Sequence, residues 1–211
     1  MEFSQPVSVN TMKRLPMYLN YLKSLDREGN ISSTEIAKAL GLNDVQVRKD
    51  LSAVSSGGRP KVGYNVMSLI ADLKEFLGYN AINEAVLVGA GNLGRALMSY
   101  RGFEEYGLRI VAGFDIIPEM TDKDGISKPI LPLDEVSAFC RKNEIRIGVI
   151  TTPSKAAQSV CDLLIASGIK AIWNFAPTHV TVPEGVLVQN ENMASSLALL
   201  SKHLNEMLKN E

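Results

Sequence analysis

Glu84-Ala-Val-Leu-Val-Gly-Ala-Gly-Asn-Leu-Gly94, continued by Arg95 to Tyr100, is the stretch that decides the fold. Glu84 to Val88 is a short apolar run of the length of a buried strand, and Arg95 to Tyr100 continues as a helix. A GxGxxG string carries little weight alone, but between a strand and a helix it is a dinucleotide-binding fingerprint. Gly89 then permits the tight turn, Gly91 lets backbone approach a pyrophosphate, and Gly94 allows helix and strand to pack closely. Ala90, Asn92 and Leu93 complete the loop, whose amides at the helix N-terminus would receive the phosphates.

Downstream, the pattern repeats as strand, loop, helix. Leu108 to Phe114 reads as a second strand ending at Asp115, where an acid bonds both ribose hydroxyls of an adenosine and repels a 2′-phosphate. Ile116-Ile117-Pro118 follows with no Arg, so the site is expected to prefer NAD+ and NADH to their phosphorylated counterparts. A third strand, Arg146 to Ile150, ends in Thr151-Thr152-Pro153-Ser154, and loops at the carboxyl ends of parallel strands line the ligand crevice. A helix over 155–166 stops at Gly168. The strand Ile169 to Phe175 then leads into Asn174-Phe175-Ala176-Pro177, where Phe175 stacks near a nicotinamide or plugs the core. A last strand lies near Val186-Leu187-Val188. Residues 194–209 form an amphipathic helix with Leu197, Leu200, Leu204 and Met207 on one face, to pack on its own domain or on a second subunit.

Upstream, a different period rules. Leu15, Tyr18, Leu19, Leu22 and Leu25 mark an amphipathic helix. Ser32 to Glu35 offers an N-cap to a short helix with Ile36, Ala37 and Leu40 inside, and Gly41 makes the turn. Asn43 or Asp44 caps the next helix, with Val45, Val47, Leu51 and Val54 inward. Two short helices joined at a glycine form a helix-turn-helix unit, whose second helix enters the major groove. Its exposed Gln46, Arg48, Lys49 and Ser52 suit base edges and phosphates, with Ser33 on the preceding helix. The stretch 55–66, Ser-Ser-Gly-Gly-Arg-Pro-Lys-Val-Gly-Tyr-Asn-Val, reads as a wing. Its tip would place Arg59 or Lys61 in a minor groove, and Tyr64 would support a strand face or touch a phosphate. A helix over 66–77, stopped at Gly78, links the halves.

The expected fold is therefore α/β: a winged helix-turn-helix domain over 1–78, a Rossmann-like parallel sheet over 79–193, and a terminal helix over 194–211. The length of 211 residues accommodates two modest cores. Net charge is −1 overall, yet residues 1–75 carry +2 and the remainder −3. Within 48–61, Arg48, Lys49, Arg59 and Lys61 face only Asp50, which concentrates positive charge where a duplex would dock. No apolar run approaches the ~20 residues of a membrane span, and the start MEFSQPVSVN lacks a signal peptide's apolar core. The chain is expected to stay in the cytoplasm, with no membrane and no protein substrate as partner. Cys140 and Cys161 fall in expected helices without CxxC spacing or a His cluster, so they read as small buried hydrophobes rather than a redox pair or metal site.

With these residues in hand, the chain resembles the Rex family of redox-sensing transcriptional repressors over nearly its whole length. The resemblance is carried by QVRKDLS (46–52), VGYNV (62–66), VLVGAGNLG (86–94), SYRGFEEYGLRIVAGFD (99–115), ITTP (150–153), AAQ (156–158), IWNFAP (172–177) and VPEGV (182–186). It implies a homodimer whose last helix is exchanged between subunits, a palindromic operator, and repression relieved when NADH binds. It also implies that Tyr100 and Phe175 lie near the nicotinamide. The chain departs from the family pattern at the Ala-Val-Ser-Ser-Gly-Gly start of the wing, at Asn20 and at Asn192.

An NAD-dependent dehydrogenase is the alternative from another class. Hydride transfer needs a placed acid or base and, as a rule, a substrate domain. The two histidines, His179 and His203, form no recognisable constellation, and one nucleotide fold consumes the residues after the linker. A CoA- or acyl-phosphate-related module leaves the front domain without a purpose.

Overall fold

The structure is a computed structural model that describes residues 7–25, 28–118 and 128–209. The chain divides into two compact units, residues 1–81 and 82–211, and the terminal helix is counted within the second.

In the first unit, α1 (Val9–Ser24) starts at Ser8, whose side chain accepts the Thr11 N–H. It begins six residues before Leu15, because this cap holds a turn that the apolar period does not reveal. Helix α2 (Ser33–Leu40) is capped by Ser32 and ends at Gly41, which sits at φ +65°, the left-handed conformation that suits glycine. Asn43 accepts the N–H groups of Val45 and Gln46 and so caps α3 (Asp44–Val54). Strand β1 (Asn30–Ile31) pairs antiparallel with β2 (Tyr64–Asn65), closing the wing's base, and α4 (Val66–Phe76) follows. Leu15, Tyr18, Leu19 and Leu22 pack with Ile36, Val47, Leu51, Val54 and Leu69 in one core. Val45 is a correction to the expected inward stripe: it is 49% exposed. Residues two apart lie on opposite sides of a helix, so burying Val47, Leu51 and Val54 turns Val45 outward.

The core of this unit also holds a carboxylate. Asp50 is only 2% exposed and accepts from Arg14 Nε at 2.7 Å, Tyr18 Oη at 2.7 Å, Gln46 Nε2 at 2.9 Å and Thr11 Oγ1 at 3.0 Å. Burial pushes the carboxyl up, but these hydrogen bonds, Arg14's first, outweigh it and hold the group below its ordinary value. Tyr18 is pushed up to about 12, by burial and then by its bond to Asp50. The carboxylate thus pins α1 to α3, the helix that presents Arg48 and Lys49.

The second unit is a six-stranded sheet whose strands are all parallel. They are β3 (Asn83–Val88), β4 (Leu108–Asp115), β5 (Ile130–Pro132), β6 (Ile147–Ile150), β7 (Ala171–Asn174) and β8 (Leu187–Asn190), in spatial order β5-β4-β3-β6-β7-β8. The order reverses between β3 and β6, and that switch point opens a crevice beyond the strands' carboxyl ends. The connecting helices are α5 (Asn92–Ser99), α6 (Val136–Lys142) and α7 (Ser154–Ala166), and α8 (Met193–Leu208) closes the chain. β5 escaped the sequence reading because three residues ending in proline carry no periodicity. Cys140 and Cys161 are both buried, and burial pushes the Cys140 thiol up to about 11 and raises that of Cys161. Along α8, Leu197, Leu199, Leu200, Leu204, Met207 and Leu208 are each 47% or more exposed. Among the described residues, no helix is long and apolar enough to cross a membrane, and no cluster has metal-ligating composition.

Candidate nucleotide cleft and nucleic-acid face

The crevice at the switch point is a cleft of about 570 Å³. Gly89, Gly91 and Leu93 line it from the loop after β3, Asp115 and Ile116 from the end of β4, and Thr151, Thr152 and Pro153 from the loop after β6. Phe175 and Pro177 close it after β7. Ten of the fifteen residues read from sequence as cofactor contacts therefore meet in one cavity.

The remaining five lie outside its lining. Gly94 is buried, and a Cβ there would run into the carbonyl oxygen of Gly89, so this glycine is required by the fold itself. Thr151 Oγ1 donates to that same carbonyl at 2.7 Å, binding the loop after β6 to the Gly-rich turn. Asn92 opens α5, and Ala90 gives its N–H to Asp115 Oδ2. Tyr100 is 54% exposed and stands edge-on to Phe103, outside the cleft of this chain. Asn174 is a correction. It is fully buried, its amide nitrogen donates to Thr178 O and Asn190 Oδ1, and its oxygen accepts from Ala176 N–H. Those bonds shape the turn that carries Phe175, and they leave Asn174 no face toward a ligand.

Sequence reasoning missed Val88, Leu133, Ala156 and Val160, which also line the cleft. Ala156 and Val160 are one helical turn apart on α7, a signal that was available. Leu133 follows the unrecognised β5, so nothing marked it.

Two features test whether a dinucleotide fits. A Cβ at Gly91 meets nothing within 4 Å and its φ is −67°, so neither packing nor backbone geometry demands glycine there. Close approach of a ligand to that backbone would. Thr152 Oγ1 is buried and has no hydrogen-bond partner among the described residues, a polar atom waiting at the cleft wall. With the accepting carboxylate of Asp115 and the ring of Phe175 in the same lining, the cleft offers groups that suit phosphates, ribose hydroxyls and a flat apolar ring.

On the first unit, Ser33, Arg48, Arg59, Lys61 and Tyr64 border one cavity of about 570 Å³ between α2, α3 and the wing. Arg48 is exposed and paired with Asp44 at 3.6 Å, an i,i+4 contact of little energetic weight. Lys49 and Ser52 are exposed further along α3, and the Ser52 hydroxyl donates to Lys49 O. Gln46 is exposed too, but its amide nitrogen is spent on Asp50, which narrows its use as a base reader. Of the two roles open to Tyr64, the fold favours support of the strand face: it is 7% exposed and lies beneath Gly58, so it buttresses the wing from inside. The tip turns through Pro60 and Lys61, with Lys61 at φ +63° and the Arg59 and Gly63 backbones bonded across it. A side chain there costs about 1 kcal/mol of backbone strain, which puts the cationic group at the extreme of the wing.

A winged helix-turn-helix unit and a dinucleotide-type parallel sheet on one chain define a DNA-binding transcriptional regulator that answers to a nucleotide. Residues 6–52 match the family described as "Putative DNA-binding protein N-terminus", and residues 80–178 match the one described as "CoA binding domain". The chain belongs to the Rex family of redox-sensing transcriptional repressors. It is 43% identical over 199 residues to the redox-sensing transcriptional repressor Rex of Porphyromonas gingivalis, covering 93% of this chain and 91% of that one. It is 38% identical to Rex of Clostridium kluyveri, covering 98% and 100%. The crystal structure of RSP in complex with β-NAD+ and operator DNA superposes with a TM-score of 0.88 at 35% identity, covering 99% of each chain. RSP in complex with β-NADH gives 0.85, also at 35% identity, covering 97% of each chain.

Proposed function

We propose that this chain is a cytoplasmic homodimeric repressor that binds a palindromic operator when NADH is scarce and releases it when NADH binds. The observation that carries the reading is the cleft, with its Gly91 backbone bare and its Thr152 hydroxyl unpartnered. The turn 89–94 holds the pyrophosphate, Asp115 accepts from the adenosine ribose, and Thr151, Thr152, Pro153, Phe175 and Pro177 border the nicotinamide end. When bound, the nicotinamide supplies a ring that is cationic in NAD+ and neutral in NADH. Ser33, Gln46, Arg48, Lys49, Ser52, Arg59 and Lys61 face the duplex. Residues 1–78 thus act as DNA reader, 79–193 as nucleotide reader and 194–211 as the dimer element.

The exposed leucines of α8 support the dimer, since six large apolar side chains on one element need a cover. In this reading the helix is exchanged between subunits, and a two-fold dimer matches a palindrome. NADH must bind the DNA-incompetent arrangement more tightly than the competent one, because equal affinity shifts nothing. By linkage, operator DNA weakens NADH binding by the same factor. A dehydrogenase gains no support from the histidines: His179 lies outside the cleft and His203 is exposed on α8.

The test is an operator titration run with NADH and separately with NAD+. Release by NADH at concentrations where NAD+ does little is the expected result. Equal response to both, or to neither, overturns the reading.

A further inference from the structure

Trp173 is the single tryptophan of the chain, and the proposed function gives it no part. It sits on β7, two residues before Phe175, which follows the strand's end, with ring centroids 4.7 Å apart. On its other side it meets Phe103 edge-on at 5.4 Å, and Phe103 meets Tyr100 at 4.9 Å. The ladder Tyr100–Phe103–Trp173–Phe175 therefore joins the two aromatics assigned to the nicotinamide through two that are not. The indole Nε1 of Trp173 then leaves the ladder and donates to Glu191 Oε1 at 2.9 Å.

Glu191 is the last residue but one before α8. Its N–H donates to Asn174 O at 2.8 Å, and Asn174 Nδ2 donates to Asn190 Oδ1 at 2.8 Å. Residue 192 follows at once, and the Asn192 side chain caps α8 by accepting the Ser195 N–H at 2.9 Å. The carboxyl end of β7 and the foot of α8 are thus tied by three hydrogen bonds. Phe175 also forms a wall shared by the nucleotide cleft and a second cavity of about 440 Å³, which Glu191, Asn192 and Ala194 line at the foot of α8. One ring thus faces ligand on one side and the root of the dimer helix on the other.

We infer that Trp173 and Glu191 are positioning residues that carry the state of the cleft from Phe175 to the root of α8. This rests on the NADH-responsive reading above. A nicotinamide settling against Phe175 shifts a ring packed on Trp173, and the indole N–H moves the Glu191 carboxylate with it. Glu191 and Asn192 are consecutive, so the cap of α8 follows. The ring packing passes a displacement to Trp173 because close-packed side chains have little room to give, and the directional Trp–Glu bond carries it on to Glu191.

Three quantities test this in the full-length protein: NADH affinity without DNA, operator affinity without NADH, and the factor by which saturating NADH weakens operator binding. Trp173→Phe keeps a ring in the ladder and loses the indole donor, and Glu191→Ala loses the acceptor. Both are expected to leave the two separate affinities within about threefold and to cut the coupling factor by about tenfold, the scale of one charge-assisted bond. Glu191→Gln keeps an acceptor oxygen and should restore most of the coupling. In the parent, NADH should shift the Trp173 emission maximum, and in Glu191→Ala the shift should shrink. Unchanged coupling in both Trp173→Phe and Glu191→Ala overturns the relay alone. So does equal loss of coupling in Glu191→Gln and Glu191→Ala. A parent protein that does not respond to NADH overturns the repressor reading instead, and the relay with it.

Discussion

The backbone N–H of Ala90 donates to Oδ2 of Asp115 at 2.7 Å, so the Gly-rich turn after β3 is latched to the last residue of β4. The other oxygen, Oδ1, accepts from Ile117 N–H at 3.1 Å. Two amides therefore fix the plane of the carboxylate at the cleft edge, with lone pairs left for hydroxyl donors. One side chain thus holds the Gly-rich turn closed and, in the proposed reading, would also meet the sugar.

Asp115→Ala should consequently lose more than a ribose contact, because the turn is released as well. NADH binding by calorimetry is expected to weaken by at least about tenfold. Asp115→Asn, which keeps one acceptor oxygen, should fall between the two. Parent-like affinity in the alanine variant would remove Asp115 from the site.

Gly91 and Gly94 make a contrasting pair. A side chain at Gly91 meets only open space, so Gly91→Val should keep the parent's Tm while NADH affinity drops by about tenfold or more. Gly94→Ala collides with the Gly89 carbonyl and should cost about 1–3 kcal/mol of stability. If thermal melts and calorimetry give both variants the same profile, the division of labour between these glycines is wrong.

The cationic face should report through salt. Lys49→Ala and Arg59→Ala are each expected to weaken operator binding and to lower the slope of log affinity against log salt by about one. Parent-like slopes in both variants would place the duplex on another face.

Asp50 ties stability to pH. Its folded pKa lies below the unfolded value of 3.8, so its contribution is present above that value and is lost as pH falls through the folded pKa. Tyr18 works at the other end: its contribution is full below the unfolded value of 10.0 and fades as pH rises through about 12. Asp50→Asn should cost about 3 kcal/mol at neutral pH, because Arg14 loses its counter-ion. It should also flatten the acid limb in denaturant melts. An unaltered acid limb would show that the carboxylate is not the group being titrated.

Legibility followed period and punctuation. The strand–GAGNLG–helix unit, Asp115 and the loop after β6 were readable because each lies where a local pattern changes, and all of them line or latch the cleft. The helix-turn-helix was readable from Ser32, Gly41 and Asn43, residues that stop or start helices by their own chemistry. What could not be read depended on partners remote in sequence. Asp50 reads as a lone negative charge among basic residues, whereas it is buried and paired with the half-buried Arg14, 36 residues upstream. Asn174 and Tyr64 are polar residues beside functional loops, and only tertiary contacts show that their polarity or bulk is used inside the protein. Asn192 departs from the family pattern, yet an amide oxygen caps a helix as well as a carboxylate does, which keeps the start of α8 intact.

The two buried cysteines set a limit on what this repressor hears. Burial pushes the Cys140 thiol up to about 11, so at neutral pH it stays protonated. Cys161 is raised in the same direction and equally enclosed. Thiolates are the species that attack peroxides and disulfides, so these two enclosed thiols are poor targets for oxidation. In the proposed reading the redox signal arrives instead through the coenzyme, which binds without a covalent bond and leaves again.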